Sequence, residues 1–191
     1  DFGLAKKFGS PTRVMTSQVV TLWYNAPGLM LSSKHYGTYV DIWSCGCIFA
    51  EILNRIPFLQ PSTVHNDIGQ LNRIFDVFGT PTEANWPAFH SKIKLTLPLG
   101  FEDRAPVSLK QALPTASNDL IELIENCFKL DPLKRFSAEK LMKLSYFTNS
   151  PAPVKPEFLP GLKKNMVSKG SGLSLQRKRK GVLDGENDLV E

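Results

Sequence analysis

The stretch Thr38 to Leu53, T-Y-V-D-I-W-S-C-G-C-I-F-A-E-I-L, limits the possible folds more than any other part of the chain. Thr38 followed three residues later by Asp41 is a weak capping-box signature, because a hydroxyl and a carboxylate can take the first amides of a helix. Beyond that turn, Val40, Ile42, Trp43, Cys45, Cys47, Ile48, Phe49, Ile52 and Leu53 cover nearly the whole circumference. A helix that is apolar all round belongs inside protein or membrane. This one is too short to span a bilayer and carries Asp41 and Glu51, so it is expected as the buried pillar of a soluble domain. Asp41 has two readings: a cap for its own first turn, or a buried charge that orders a neighbouring loop.

The 191 residues allow one domain of ordinary size plus a tail, and 42% hydrophobic residues supply a core. The net charge of +5 is uneven. Residues 163–180 hold seven Lys/Arg and no acid, and 184–191 hold four acids, so this end carries +3 and the first 162 residues +2. A nearly neutral body is a poor nucleic-acid surface, so no direct nucleic-acid binding is expected. Cys45, Cys47 and Cys127 have no metal-ligand spacing, and an odd number of buried thiols suits a reducing, intracellular compartment. His35, His65 and His90 are isolated, which fits surface or packing roles. No signal peptide or membrane span is read, and the start at Asp1 without Met suggests a piece of something longer.

Residues 1 to 37 are irregular, punctuated by Gly3, Gly9, Pro11, Pro27 and Gly37. A long loop before a buried helix is commonly functional. Leu71, Ile74, Phe75 and Phe78 predict an amphipathic helix over 67–78, stopped by Gly79-Thr80-Pro81. Residues 81–116 read as a long connection with a helical turn near Glu83 to Trp86. Ser117 caps a helix with Leu120, Ile121, Ile124, Cys127 and Phe128 inward, and Ser137 caps a last one with Leu141, Met142 and Leu144 inward. Strand patterns are nearly absent, so the fold is mainly α. Pro151, Pro153, Pro156 and Pro160, then a Ser/Gly/Lys run, mark 149–191 as a Pro-rich, then basic, disordered tail.

Four landmarks occur in order: Asp1-Phe2-Gly3, Ala26-Pro27, Asp41-Ile42-Trp43-Ser44-Cys45-Gly46 and Leu130-Asp131-Pro132-Leu133-Lys134-Arg135. Their order and spacing resemble the second half of a eukaryotic protein kinase domain. Leu4-Ala5-Lys6, Val19-Val20-Thr21-Leu22-Trp23-Tyr24 and Gly79-Thr80-Pro81-Thr82 are similar to the cyclin-dependent kinases. Phe8-Gly9-Ser10-Pro11 to Gln18, Arg73-Ile74-Phe75, Tyr146-Phe147 and the late basic cluster Arg177 to Lys180 most resemble the CDK-activating type. The implied fold is the C-terminal (large) lobe of the protein-kinase fold, truncated before the metal-binding Asp1-Phe2-Gly3. Its domain would cover 1–148, with an activation segment over 1–28 and a helical lobe over 29–148.

The resemblance implies transfer of the ATP γ-phosphoryl group to Ser/Thr, with ATP and Mg2+ as cofactors. Asp1 would ligate magnesium. Thr16 matches the activating phosphorylation site and Ser10, before Pro11, a second one, against the plainer reading of ordinary loop hydroxyls. Lys6 would pair with the phosphate, whose charge of about −1.5 to −2 orders such loops. Thr21 would bond the catalytic aspartate, Val19 and Val20 would shape the pocket after the phosphoacceptor, and Asp41 would hold catalytic-loop amides. Arg177, Lys178, Arg179 and Lys180 read as a nuclear address or a solvated charge run. Expected partners are a cyclin and an assembly factor, with other cyclin-dependent kinases or the RNA polymerase II tail as substrates, no membrane, and a nuclear location.

Three departures stand out. Gly28 takes the place of a Glu that in the family pairs with an arginine at the position of Arg135, so Arg135 is expected to lose its partner. Asn25 replaces an arginine that helps present the loop to a proline after the phosphoacceptor. The sequence has no Gly-rich loop, strand lysine or H-R-D-x-x-x-x-N catalytic loop, so these 191 residues alone are expected to be inactive. The alternative reading is a non-catalytic, pseudokinase-like scaffold.

Overall fold

A computed structural model describes residues 22–31, 36–92, 102–151 and 153–160. The chain divides into two units, Asp1–Ala152 and Pro153–Glu191. The described part of the second is a short stretch with a 3-10 turn over Pro156–Phe158.

In the first unit a 3-10 turn, Leu22–Tyr24, leads into α1 (Pro27–Met30), α2 (Tyr39–Asn54), α3 (Asp67–Phe78), α4 (Pro87–Lys92), α5 (Leu109–Ala112), α6 (Asn118–Cys127) and α7 (Ala138–Leu141). Among the described residues there is no strand, as the sequence pattern predicts. No helix there is long and apolar enough to cross a membrane.

The long central helix packs against α6. Gly46 makes the approach possible: a Cβ on it would lie 2.8 Å from the Cys127 Cβ and 3.1 Å from the Phe128 ring. One turn earlier on α2, the fully buried Trp43 meets Phe128 and Phe78 edge-on, with ring centroids 4.9 and 5.5 Å away. Phe58, on the connection after α2, tilts onto Phe128 from another side. Aromatic rings from α2, α3, the residue capping α6 and a loop thus converge on one point.

Helix α2 departs from the sequence reading in two ways. Thr38 makes no side-chain cap, because it already has helical dihedrals (φ −57°, ψ −17°) and its carbonyl accepts from the Asp41 amide. A cap residue needs extended backbone to turn its hydroxyl back on the first turn. Nor is the helix buried all round. Ile42, Trp43, Gly46, Cys47 and Ala50 are buried, whereas Asp41, Cys45, Ile48 (46% exposed) and Ile52 (68%) form an open stripe. Apolar composition therefore overstated the burial, and Cys45 is an exposed thiol beside two buried ones.

Helices α3 and α6 follow their predicted spans closely. Asn66 caps α3 through its Oδ1, which accepts from the Gly69 amide at 2.9 Å, a cap the sequence reading did not include. Ser117 caps α6 as read, accepting from Leu120 N at 3.2 Å, and Ser137 caps α7. Met142, expected inside, is 61% exposed, because α7 ends at Leu141 and only Leu141 of that turn points into the core. The connection after α3 is tied down. Thr80 and Val77 exchange backbone bonds with Arg104 and Val107, and Arg104 pairs with Asp76 at 3.0 Å.

Candidate functional site

The structure describes the segment after Thr21 and the helix beneath it. Three side chains of α2 grip that segment. Ser44 Oγ donates to the Tyr24 carbonyl at 2.9 Å, Cys47 Sγ lies 3.8 Å from the Trp23 carbonyl oxygen, and the Tyr24 hydroxyl donates to Glu51 Oε2 at 2.7 Å. Positions 44, 47 and 51 share one helix face, since residues three, four and seven apart stack along an α-helix. The carboxylate opposite the phenol, followed by burial, pushes the Tyr24 hydroxyl up to about 12. Burial likewise raises the Cys47 thiol, so its sulfur is a neutral thiol.

The chain then enters α1 at Pro27, which sits at the first helical position where its missing N–H is harmless. Ala26 and Pro27 are buried, and α1 rests on α3. Gly28 has space around it: a Cβ there would meet only the Trp86 ring, at 4.0 Å.

Arg135 is the buried cation of the site, with 8% of its surface exposed. The sequence reading left it without a partner. Among the described residues it indeed has no ion pair, yet three carbonyls satisfy it. Nε donates to Lys129 O at 2.7 Å, Nη1 to Tyr39 O at 3.0 Å and Nη2 to Leu130 O at 3.2 Å. Its guanidinium carbon lies 5.0 Å from the centroid of the Trp43 ring and 5.9 Å from that of Tyr39. These dipoles and π-faces offset much of the cost of a broken buried pair. Burial lowers the guanidinium to about 10, against the opposing pull of Tyr39 and Asp131. Asp131, which caps the turn Pro132–Lys134 by accepting from Leu133 N at 3.0 Å, is the buried acid of the same loop.

Asp41 is the one predicted site residue that the structure describes. It lies in the first turn of α2, two residues after the Tyr39 carbonyl that Arg135 holds, and it is exposed. Its carboxylate makes no hydrogen bond or ion pair among the described residues. Asp1, Lys6, Ser10, Thr16, Val19, Val20, Thr21, Arg177, Lys178, Arg179 and Lys180 lie outside the described residues. No group of three or more His, Cys, Asp and Glu among the described residues could hold a metal ion.

Sequence reasoning passed over Tyr24, Ser44 and Glu51 as a working set. Glu51 was weighed only as a charge that argues against a membrane helix. Its spacing of seven from Ser44 was the available signal, but spacing alone does not say which segment such a face grips.

Residues 1–147 match the protein kinase domain family. The chain is 40% identical over 197 residues to cyclin-dependent kinase 7 of Xenopus laevis, an alignment that covers all of this chain and 53% of that protein. It is 44% identical over 160 residues to cyclin-dependent kinase D-1 of Oryza sativa subsp. indica, covering 84% of this chain and 36% of the relative. With cyclin-dependent kinase 11 of Dictyostelium discoideum the identity is 41%, over 84% of this chain and 44% of the relative. The chain thus spans about half the length of these curated relatives, or less. A kinase-domain match over most of the chain, and relatives of this kind at such identity, place the protein in the protein kinase family, among chains similar to cyclin-dependent kinases.

Proposed function

We propose that this chain is the helical, C-terminal part of a cyclin-dependent protein serine/threonine kinase of the CDK-activating type. The carrying observation is the triple grip of Ser44, Cys47 and Glu51 on Trp23 and Tyr24. It fixes Trp23 and Tyr24, which follow Thr21 in sequence, onto the rod that carries Asp41.

In this reading phosphoryl transfer is mostly a matter of positioning and charge. Asp1 offers the hard oxygen donor that magnesium prefers, and the ion supplies charge neutralisation at the ATP phosphates. Thr21 bonds the aspartate that orients the substrate hydroxyl. Asp41 accepts from amides of the same loop, a role that suits an exposed carboxylate with no hydrogen bond or ion pair among the described residues. Phosphorylated Thr16 pairs with Lys6 and further basic groups, with Ser10 as a second phosphosite. Val19 and Val20 line the pocket after the phosphoacceptor, while Asn25 alters the preference for proline there. A cyclin and an assembly factor are the partners, other cyclin-dependent kinases or the RNA polymerase II tail the substrates, and Arg177 to Lys180 the nuclear address. The domain runs over 1–148 and the tail over 149–191.

The test is transfer of labelled phosphate from Mg-ATP to a peptide of the RNA polymerase II tail and to a cyclin-dependent kinase. It uses the complete kinase that carries these residues, with its cyclin, and compares it with Asp1→Asn. Label on Ser/Thr that falls at least about 100-fold in the variant supports the reading. Equal label in both overturns it. The 191 residues alone are expected to transfer none, having no ATP lysine and no catalytic loop. Gly28 and the carbonyl-satisfied Arg135 favour a second reading, a non-catalytic scaffold. Cyclin binding by the complete protein without any transfer would select it.

A further inference from the structure

Away from this site, α3 turns two polar side chains toward the connection that follows α2. Gln70 is fully buried, on a helix face otherwise made of Leu71, Ile74, Phe75 and Val77. Its Nε2 donates to the Leu59 carbonyl at 2.9 Å. Arg73, one turn on, donates from Nη2 to the Phe58 carbonyl at 3.0 Å. Two side chains at i and i+3 thus hold two consecutive carbonyls of one loop.

Each of them keeps one buried atom without a partner: Gln70 Oε1 and Arg73 Nε. The amide cannot be turned round to remove the first, because that would set Oε1 against the Leu59 carbonyl oxygen. One orphan is an acceptor and the other a donor, and they extend from the same face of the same helix. Leaving both bare costs about 1–3 kcal/mol apiece. The buried Trp43 Nε1 is also unpartnered, but it has no complementary orphan beside it on its helix.

We propose that one internal water molecule sits between Gln70 Oε1 and Arg73 Nε and completes a buried polar clamp that fastens residues 57–61 to α3. The water donates to Gln70 Oε1 and accepts from Arg73 Nε, at about 2.7–3.2 Å from each. Its second hydrogen goes to the free lone pair of the Phe58 or Leu59 carbonyl, giving the three bonds usual for buried water. Phe58 and Leu59 send their side chains into the core, so the clamp sets the depth at which both enter. It also holds the helix on which α1 rests.

Two measurements on the wild-type chain test this. A high-resolution crystal structure should show one density peak bonded to both atoms. Nuclear magnetic resonance should show rotating-frame Overhauser peaks of dipolar sign between bound water and both the Gln70 Nε2 and the Arg73 Nε protons. A direct bond from Arg73 Nε to Gln70 Oε1, or empty space between them, would overturn the proposal. In Gln70→Met the water peak at the Arg73 Nε proton should vanish. Its persistence would mean that solvent reaches Arg73 without the clamp, and would overturn the proposal as well. The kinase reading can fail without touching this outcome, since neither residue is given a role in phosphoryl transfer.

Discussion

The Tyr24 hydroxyl donates to Glu51 Oε2 at 2.7 Å, so one hydrogen bond ties the last residue of a 3-10 turn to the thirteenth residue of a long helix. The bond holds only with the phenol protonated, and its pH range follows. The folded Tyr24 value, about 12, lies above the ordinary 10. A raised folded value gives stability that is complete below the unfolded value and is lost as pH climbs through the folded one. The strap should therefore weaken between about pH 10 and 12. Glu51→Gln keeps an acceptor but removes the charge, and should bring Tyr24 ionisation back toward 10 in an ultraviolet titration. Tyr24→Phe should cost about 1–2 kcal/mol in chemical denaturation. An unshifted Tyr24 titration in Glu51→Gln would count against the bond.

Arg135→Met would leave the carbonyls of Tyr39, Lys129 and Leu130 without their donor while roughly keeping the volume. Losing the donor to one buried and two part-buried acceptors should destabilise the chain by about 2–3 kcal/mol. A loss below about 1 kcal/mol in a denaturant titration would mean that those carbonyls find water instead.

Gly28→Glu should raise the thermal midpoint. The position is open toward Trp86, and α1 has no acidic residue in its first turn. A carboxylate there favours the helix dipole by about 0.3–1 kcal/mol, and it replaces a glycine that has weak helix propensity. Pairing with Arg135, as the family pattern implies, would add to this. Calorimetry showing an equal or lower midpoint would refute the expectation.

Gly46→Ala tests the crossing of α2 and α6. The new methyl would lie 2.8 Å from the Cys127 Cβ, which is backbone-anchored and cannot swing away. Separating the helices to admit it should cost about 1–3 kcal/mol. Full stability in denaturant would show that the two helices have slack.

Helices α3 and α6 were legible because their apolar residues recur at helical spacing, and Ser117 and Ser137 because a cap needs only its own next turn. Thr38 was misread because its backbone, not its side-chain chemistry, decides whether it can cap. The open stripe of Asp41, Cys45, Ile48 and Ile52 was invisible because hydrophobicity tells what a face prefers, not what covers it. Arg135 was legible as a buried cation, but not its solution: the Tyr39 carbonyl lies 96 residues away in sequence, and any residue type can supply a carbonyl. The kinase site itself was read from short motifs, and of its residues only Asp41 is among those described.

Ser44, Cys47 and Glu51 have a mechanical consequence of their own. They span about 10 Å along one stiff rod, at 1.5 Å per residue. Sliding Trp23 and Tyr24 by one residue would misalign all three contacts together. The strap therefore has a single register, and a push on the rod must reach the strap as a whole-body displacement, not as slippage.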